Sequence, residues 1–182
     1  MKKLNLGCGI QIFDGFINLD LVKMDHIDIV HDIRKFPWPI KNNEFDLIYS
    51  RWVLEHVSDF TQTIEEIGRI LKINGILELL LPYQMSWKWV GDPSHKIIFS
   101  HRSFNNYLLE NPFAKAYATN YDSKIRFEIV ERKIIFSRNK YLKWLGYIID
   151  PIINLCPIIY ERFFFFYLPA EEIYFKLKLI KK

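Results

Sequence analysis

The chain has 182 residues, 50% hydrophobic and 25% charged, with two cysteines and a formal net charge of +4. That length fills one domain with a full core; two cysteines build no disulfide framework, and so small a charge is no nucleic-acid footprint. The charge is uneven, because residues 138–182 hold eight Lys/Arg and four Asp/Glu while the remainder holds seventeen of each.

Met1-Lys2-Lys3 leads straight into an apolar run, so no signal peptide is expected and a cytoplasmic location follows. Lys3 to Gly9 reads as a buried parallel strand entering a tight turn through Gly7-Cys8-Gly9. Asp14-Gly15 marks a second turn, and Phe16 to Asp20 a second strand. A glycine turn after one strand and a carboxylate after the next can hold an adenosine: the turn takes the polar tail and the acid takes the ribose hydroxyls. Only ten residues separate Gly9 from Asp20, too few for a full helix between these strands.

His26 to Val30 reads as strand three. The prolines of Phe36-Pro37-Trp38-Pro39 forbid helix and predict a loop that packs two aromatics. Phe45 to Ser50 is strand four, followed by a loop with a helical turn at Leu54-Glu55-His56-Val57. Asp59 with Gln62 three places on resembles a capping box, and Phe60, Ile64, Ile67 and Leu71 recur at helical spacing up to a stop at Asn74-Gly75. Ile76 to Leu81 is a strand buried on both faces, ended by Pro82. Residues 83–102 read as irregular, Ser103 to Asn111 as a short helix, Lys124 to Phe136 as strand six and Ile173 to Ile180 as a last strand.

With strand four and the following helix in place, the pattern resembles the class I S-adenosylmethionine-dependent methyltransferases. Leu4-Asn5-Leu6-Gly7-Cys8-Gly9 resembles their glycine motif, Asp20 their ribose-binding acid, and Asp32-Ile33 the pair beside adenine. Phe45 to Ser50, Val53 to Val57 and Leu71 to Leu77 resemble strand four, the stretch after it and the turn before strand five. The resemblance runs through residues 3–82 and is similar to small predicted methyltransferases tied to bacterial surface polysaccharide synthesis. It implies a Rossmann-like α/β fold with a mostly parallel seven-stranded sheet, an antiparallel edge and a helical aromatic insertion. One domain, 1–182, would divide into a core of 1–138 and 170–182 and an insertion of 139–169.

The implied cofactor is S-adenosyl-L-methionine, cradled by Gly7, Cys8, Gly9, Asp20, Asp32, Ile33 and Ser50. The implied reaction methylates oxygen or nitrogen of a small molecule or glycan, with a proton removed by His56, His95 or His101. Each assignment has a plainer alternative. Asp32 can cap a turn, Glu55 and His56 can start a helix, and His95 and His101 can anchor a loop. Tyr83 is a further candidate beside substrate. Trp87, Trp89 and Phe99 either line a pocket or pin the loop. In some relatives a Glu three places before Glu55 helps bind a divalent metal; Trp52 stands there, and no metal is expected. Two other functions stay open: a nicotinamide-dependent oxidoreductase, which shares the glycine turn and the acid, and a non-catalytic scaffold at a membrane surface.

Residues 141–167 are dense in aromatics and isoleucine, but Lys143, Asp150, Glu161 and Arg162 interrupt them, and Pro151 and Pro157 are expected to break any helix. The segment reads as two short helices packed over the sheet or lidding the site, or as exposed aromatics docking on a membrane or partner.

Overall fold

The computed structural model describes residues 1–84, 86–110 and 123–182. Seven strands form one sheet: β1 Lys3–Leu6, β2 Phe16–Asp20, β3 Ile29–Val30, β4 Phe45–Arg51, β5 Leu71–Pro82, β6 Arg126–Ile135 and β7 Glu172–Lys181. Their order across the sheet is β3-β2-β1-β4-β5-β7-β6. The pairings among β1 to β5 are parallel, and β7 runs antiparallel to both β5 and β6. Among the described residues four α-helices accompany the sheet: α1 Phe60–Ile70, α2 Trp87–Val90, α3 Lys143–Leu155 and α4 Pro157–Ile159, the last running into a π-helical turn at Tyr160–Phe164.

Leu4, Leu6, Leu19, Ile48, Leu77 and Leu79 are fully buried along the central strands, and Ile64, Ile67 and Ile70 bring one face of α1 onto the same core. Each such side chain contributes about 1.5–3 kcal/mol. The Asp59 carboxylate caps α1 by accepting from Gln62 N at 2.9 Å. The helix stops at Ile70, four residues before the expected Asn74-Gly75. Leu71 is already extended and pairs with Phe45 of β4, so the ladder captures the chain before the helical period runs out.

Other differences have similar causes. Strand three starts at Ile29 and not at His26, because the Asp28 side chain takes the Asn18 N–H at 2.7 Å, and its amide bonds Asn18 O at 3.0 Å. In place of a helix at 103–111 there is a 3-10 turn, Asn105–Tyr107, after which Leu108 bridges to Phe127; Asn111 lies outside the described residues. No helix is present between β1 and β2, as the spacing requires.

The aromatic segment departs most from expectation. Pro151 sits inside α3 and does not end it. The helix lies along the outer edge of β6. There Asn154 presents an amide to Ile134, accepting from its N–H at 2.8 Å and donating to its carbonyl at 2.7 Å. Asp150 Oδ1 accepts from Phe136 N at 2.7 Å. Two side chains thus occupy backbone groups that an edge strand would otherwise leave open. Ile153, Tyr160 and Phe165 are buried, while Trp144, Tyr147, Ile152, Leu155, Phe166 and Tyr167 stay exposed.

Candidate active site

Parallel β1 and β4 lie side by side while their connections leave toward opposite edges of the sheet. That divergence opens a crevice at the strands' carboxyl ends. A cleft of about 520 Å³ occupies it, lined by Gly7, Gly9, Asp20, Asp32, Ile33 and Trp52 among others. The bend after β1 is built on two left-handed glycines, Gly7 at φ +66° and Gly9 at φ +52°. A Cβ at Gly7 would lie 2.8 Å from Val53 Cγ1 and closer still to Cγ2, so the bend can meet the 52–57 segment only as glycine.

Gly7 N and Cys8 N both donate to Leu19 O, and Gly9 N donates to Asp20 Oδ2 at 2.8 Å. Asp20 Oδ1 accepts from Val22 N at 3.1 Å. Each carboxylate oxygen therefore has one backbone donor and keeps a lone pair for a ligand. His26 fixes the bend from below, its Nε2 2.7 Å from Gly9 O. On the other wall Arg34 forks Asp32 with bonds of 2.8 and 2.9 Å, and this holds the Asp32 carboxyl down to about 2. Trp38 buttresses that wall by donating its indole N–H to Ile33 O, while Glu66 on α1 accepts from Trp38 N.

Two cradle residues lie elsewhere. Ser50 is wholly buried and donates across the sheet to Leu6 O at 3.0 Å, so its hydroxyl is spent on β1. The Cys8 side chain is buried, with its thiol pushed up to about 11 by burial; only its backbone serves the bend.

A second hollow of about 440 Å³ adjoins the cleft, and Trp52 and His56 line both. Trp52 follows β4 in a left-handed conformation, φ +57°, with the Arg51 guanidinium 4.0 Å and Lys88 Nζ 4.8 Å from its ring. Glu55, Asp92, Trp87 and His95 complete this hollow. The 92–97 loop reaches it because Lys96 N and Ile97 N both donate to Glu55 O.

There the expected bases separate. His56 and His95 stand with ring centres 4.7 Å apart. His95 Nδ1 donates to Trp89 O at 2.9 Å, and no hydrogen bond among the described residues occupies its Nε2. The Ser94 hydroxyl donates to Asp92 at 2.6 Å, so His56 Nδ1, 3.0 Å from the same oxygen, is the donor to it and Nε2 is again free. Burial lowers the His56 pKa, with the neighbouring His95 adding to it, and favours the neutral ring. Glu55 is fully buried, and neither carboxylate oxygen has a hydrogen-bond partner. Burial pushes its carboxyl up to about 8, the nearby Asp92 adding to it.

His101 is not part of this group. Its amide donates to Glu161 and its carbonyl accepts from Arg132, which makes it a loop anchor. Tyr83 is buried and also bonds Glu161. Phe99 belongs to the core, and Trp89 anchors the loop through Ile97 O, whereas Trp87 does line the second hollow. Among the described residues none from 139–169 lines either hollow.

Ser94 and Lys96 in the cleft carried no sequence signal of their own. The two bonds to Glu55 O that import their loop depend on the fold.

Residues 4–79 match the family model described as a methyltransferase domain. No curated protein sequence matches the chain. Among solved structures, an S-adenosylmethionine-dependent methyltransferase from Mesorhizobium loti is 13% identical with TM-score 0.53, over 97% of this chain and 90% of that one. The fold is that of the class I methyltransferases. Phosphoethanolamine N-methyltransferase 1 of Haemonchus contortus, solved with phosphoethanolamine and S-adenosylhomocysteine, superposes at TM-score 0.59 and 13% identity. The match covers all of this chain and 39% of that one. The [4+2]-cyclase SpnF shares this methyltransferase fold at TM-score 0.55 and 17% identity, over 98% and 74% of the two chains. A neighbour that is a cyclase shows why the architecture leaves the reaction to the site.

Proposed function

We propose that the chain binds S-adenosylmethionine in the cleft and transfers its methyl group to oxygen or nitrogen of a small molecule or glycan held in the second hollow. The observation that carries this reading is the Gly9–Asp20 unit at the strand divergence. The free lone pairs of Asp20 suit the two ribose hydroxyls, and the Gly7–Gly9 backbone suits the methionyl end. Ile33 offers an apolar wall to the adenine, and Asp32, already forked by Arg34, serves chiefly to set that wall.

Bound there, S-adenosylmethionine would supply an electrophilic methyl group for an acceptor lone pair, its sulfur departing as the neutral thioether. The protein's work is alignment, together with removal of the acceptor proton when that is a hydroxyl. His56, lining both hollows with Nε2 unprotonated, is suited to take it, and His95 stands behind it. A surface polysaccharide precursor is one acceptor of the proposed class.

The test is calorimetric titration with S-adenosylmethionine and, separately, NAD. Binding of the first alone supports the reading, and Asp20→Ala should weaken it about 100-fold, as expected for two charge-assisted hydrogen bonds. Binding of NAD, or undiminished binding by Asp20→Ala, overturns it.

No helix among the described residues is long and apolar enough to cross a membrane. We infer a peripheral contact instead, in which the exposed aromatics of 141–167 rest on an anionic lipid surface. Lys140, Lys143 and Arg162 are exposed among them, which gives the charge such a surface would attract.

A further inference from the structure

The second hollow holds a buried carboxylate that nothing in the fold explains. Glu55 has no accessible surface, and both its oxygens lack a hydrogen-bond partner. Buried acids are normally paired, because an unmatched one costs several kcal/mol. What faces this one is two imidazoles. One ring nitrogen each of His56 and His95, and one Glu55 oxygen, all lie within 4.8 Å of one another. His95 Nε2 is 3.8 Å from Glu55 Oε1.

We propose that Glu55, His56 and His95 bind a divalent first-row transition ion, zinc being the best match. Two imidazoles and one carboxylate form a known three-ligand set for zinc, with a fourth position left open. Ligands at about 2.0–2.2 Å around a tetrahedral ion stand about 3.3–3.5 Å from one another. The Glu55–His95 pair needs to close by only a few tenths of an ångström to reach that spacing.

The outer hydrogen bonds support the same assignment. An imidazole that ligates through one nitrogen usually donates the other N–H to a carbonyl or carboxylate, which fixes its tautomer. His95 donates Nδ1–H to the Trp89 carbonyl, and His56 donates to Ser94, whose hydroxyl passes on to Asp92. Both rings thus spend Nδ1 on an outer bond, and among the described residues no hydrogen bond occupies either Nε2.

Asp92 completes the setting. Its Oδ1 takes both Ser94 bonds, while Oδ2 lies 3.9 Å from His95 Nε2 and Asp92 lines the hollow. It comes from the loop after β5, so the indole at position 52 does not leave the site short of acids. Glu55, His56 and His95 all line the hollow that adjoins the cleft across Trp52 and His56, so a fourth position on the ion would be available to an acceptor oxygen there. In the loaded protein His56 and His95 hold the ion and no longer act as bases.

The test uses the full chain carrying Cys156→Ser, because Cys156 is an exposed thiol that would itself take up zinc. After chelator treatment the protein is titrated with zinc by calorimetry, and with cobalt followed by its visible absorption, without any cofactor present. One equivalent per chain is expected, with the cobalt band of a four- or five-coordinate site and a rise in Tm. Glu55→Gln, close to isosteric, and His95→Ala should each weaken binding at least 100-fold and abolish the Tm rise. Circular dichroism confirms that each variant folds. Asp20→Ala should bind zinc as before, so failure of the nucleotide reading and failure of this one are separable. Zinc binding equal in the parent, Glu55→Gln and His95→Ala proteins, or no binding tighter than 0.1 mM on the order of surface histidines, overturns the proposal.

Discussion

Asn154 on α3 meets Ile134 on β6 through two hydrogen bonds, side-chain oxygen to backbone N–H and side-chain nitrogen to backbone carbonyl. The amide imitates one residue of a neighbouring strand. Asn154→Leu would leave both Ile134 groups unsatisfied under a helix. We expect a loss of about 2–4 kcal/mol in urea unfolding. Self-association through the opened edge should also appear in light scattering. A variant as stable and as monodisperse as the parent would mean that the helix does not protect this strand.

Gly7 and Val53 form the tightest seam between the bend and the 52–57 segment. Gly7→Ala combines a left-handed φ with overlap against both Val53 methyls, and should cost about 2–4 kcal/mol. Val53→Ala added to it should recover part of that loss, because it removes the methyls but not the backbone strain. A double-mutant cycle by chemical denaturation measures this. Strictly additive losses would show that the two residues do not meet.

His101 gives the protein a pH dependence with a definite sign. Burial, reinforced by Arg132 and Arg102, lowers its pKa to about 4 from the ordinary 6.5, while its amide is tied to Glu161. Between pH 6.5 and 4 the unfolded chain holds a proton that the folded chain refuses. The neutral ring's contribution is complete above pH 6.5 and is lost as pH falls toward 4. Allowing for its partial exposure, the loss should be about 1–3 kcal/mol. His101→Gln should flatten the parent's slope in that window when Tm is followed against pH. An unchanged slope would refute the assignment.

The exposed face of 141–167 predicts weak, salt-sensitive binding to anionic vesicles. Trp144, Phe166 and Tyr167 are 58%, 83% and 87% exposed, and changing all three to Ser should remove the bound fraction in a flotation assay. High salt should reduce it in the parent, since Lys140, Lys143 and Arg162 supply the attraction. A parent protein that never floats, even at low salt, disposes of the membrane reading.

The amino-acid sequence determined the central strands, the glycine bend, the acid at 20 and the capped start of α1. These are local matters: apolar runs, φ > 0 positions and short spacings that hold whatever surrounds them. The tertiary structure decided where strands compete with neighbouring geometry, ending α1 at Ile70 and shortening β3 to two residues. It also decided which histidines meet. His56 and His95 are 39 residues apart in the chain. They face each other only because two loop amides bond the Glu55 carbonyl, while His101, six residues further on, is turned away by Glu161 and Arg132. Spacing along the chain records no long-range hydrogen bond, so the grouping of Glu55 with the two imidazoles could be read only once the sheet had brought the loops together.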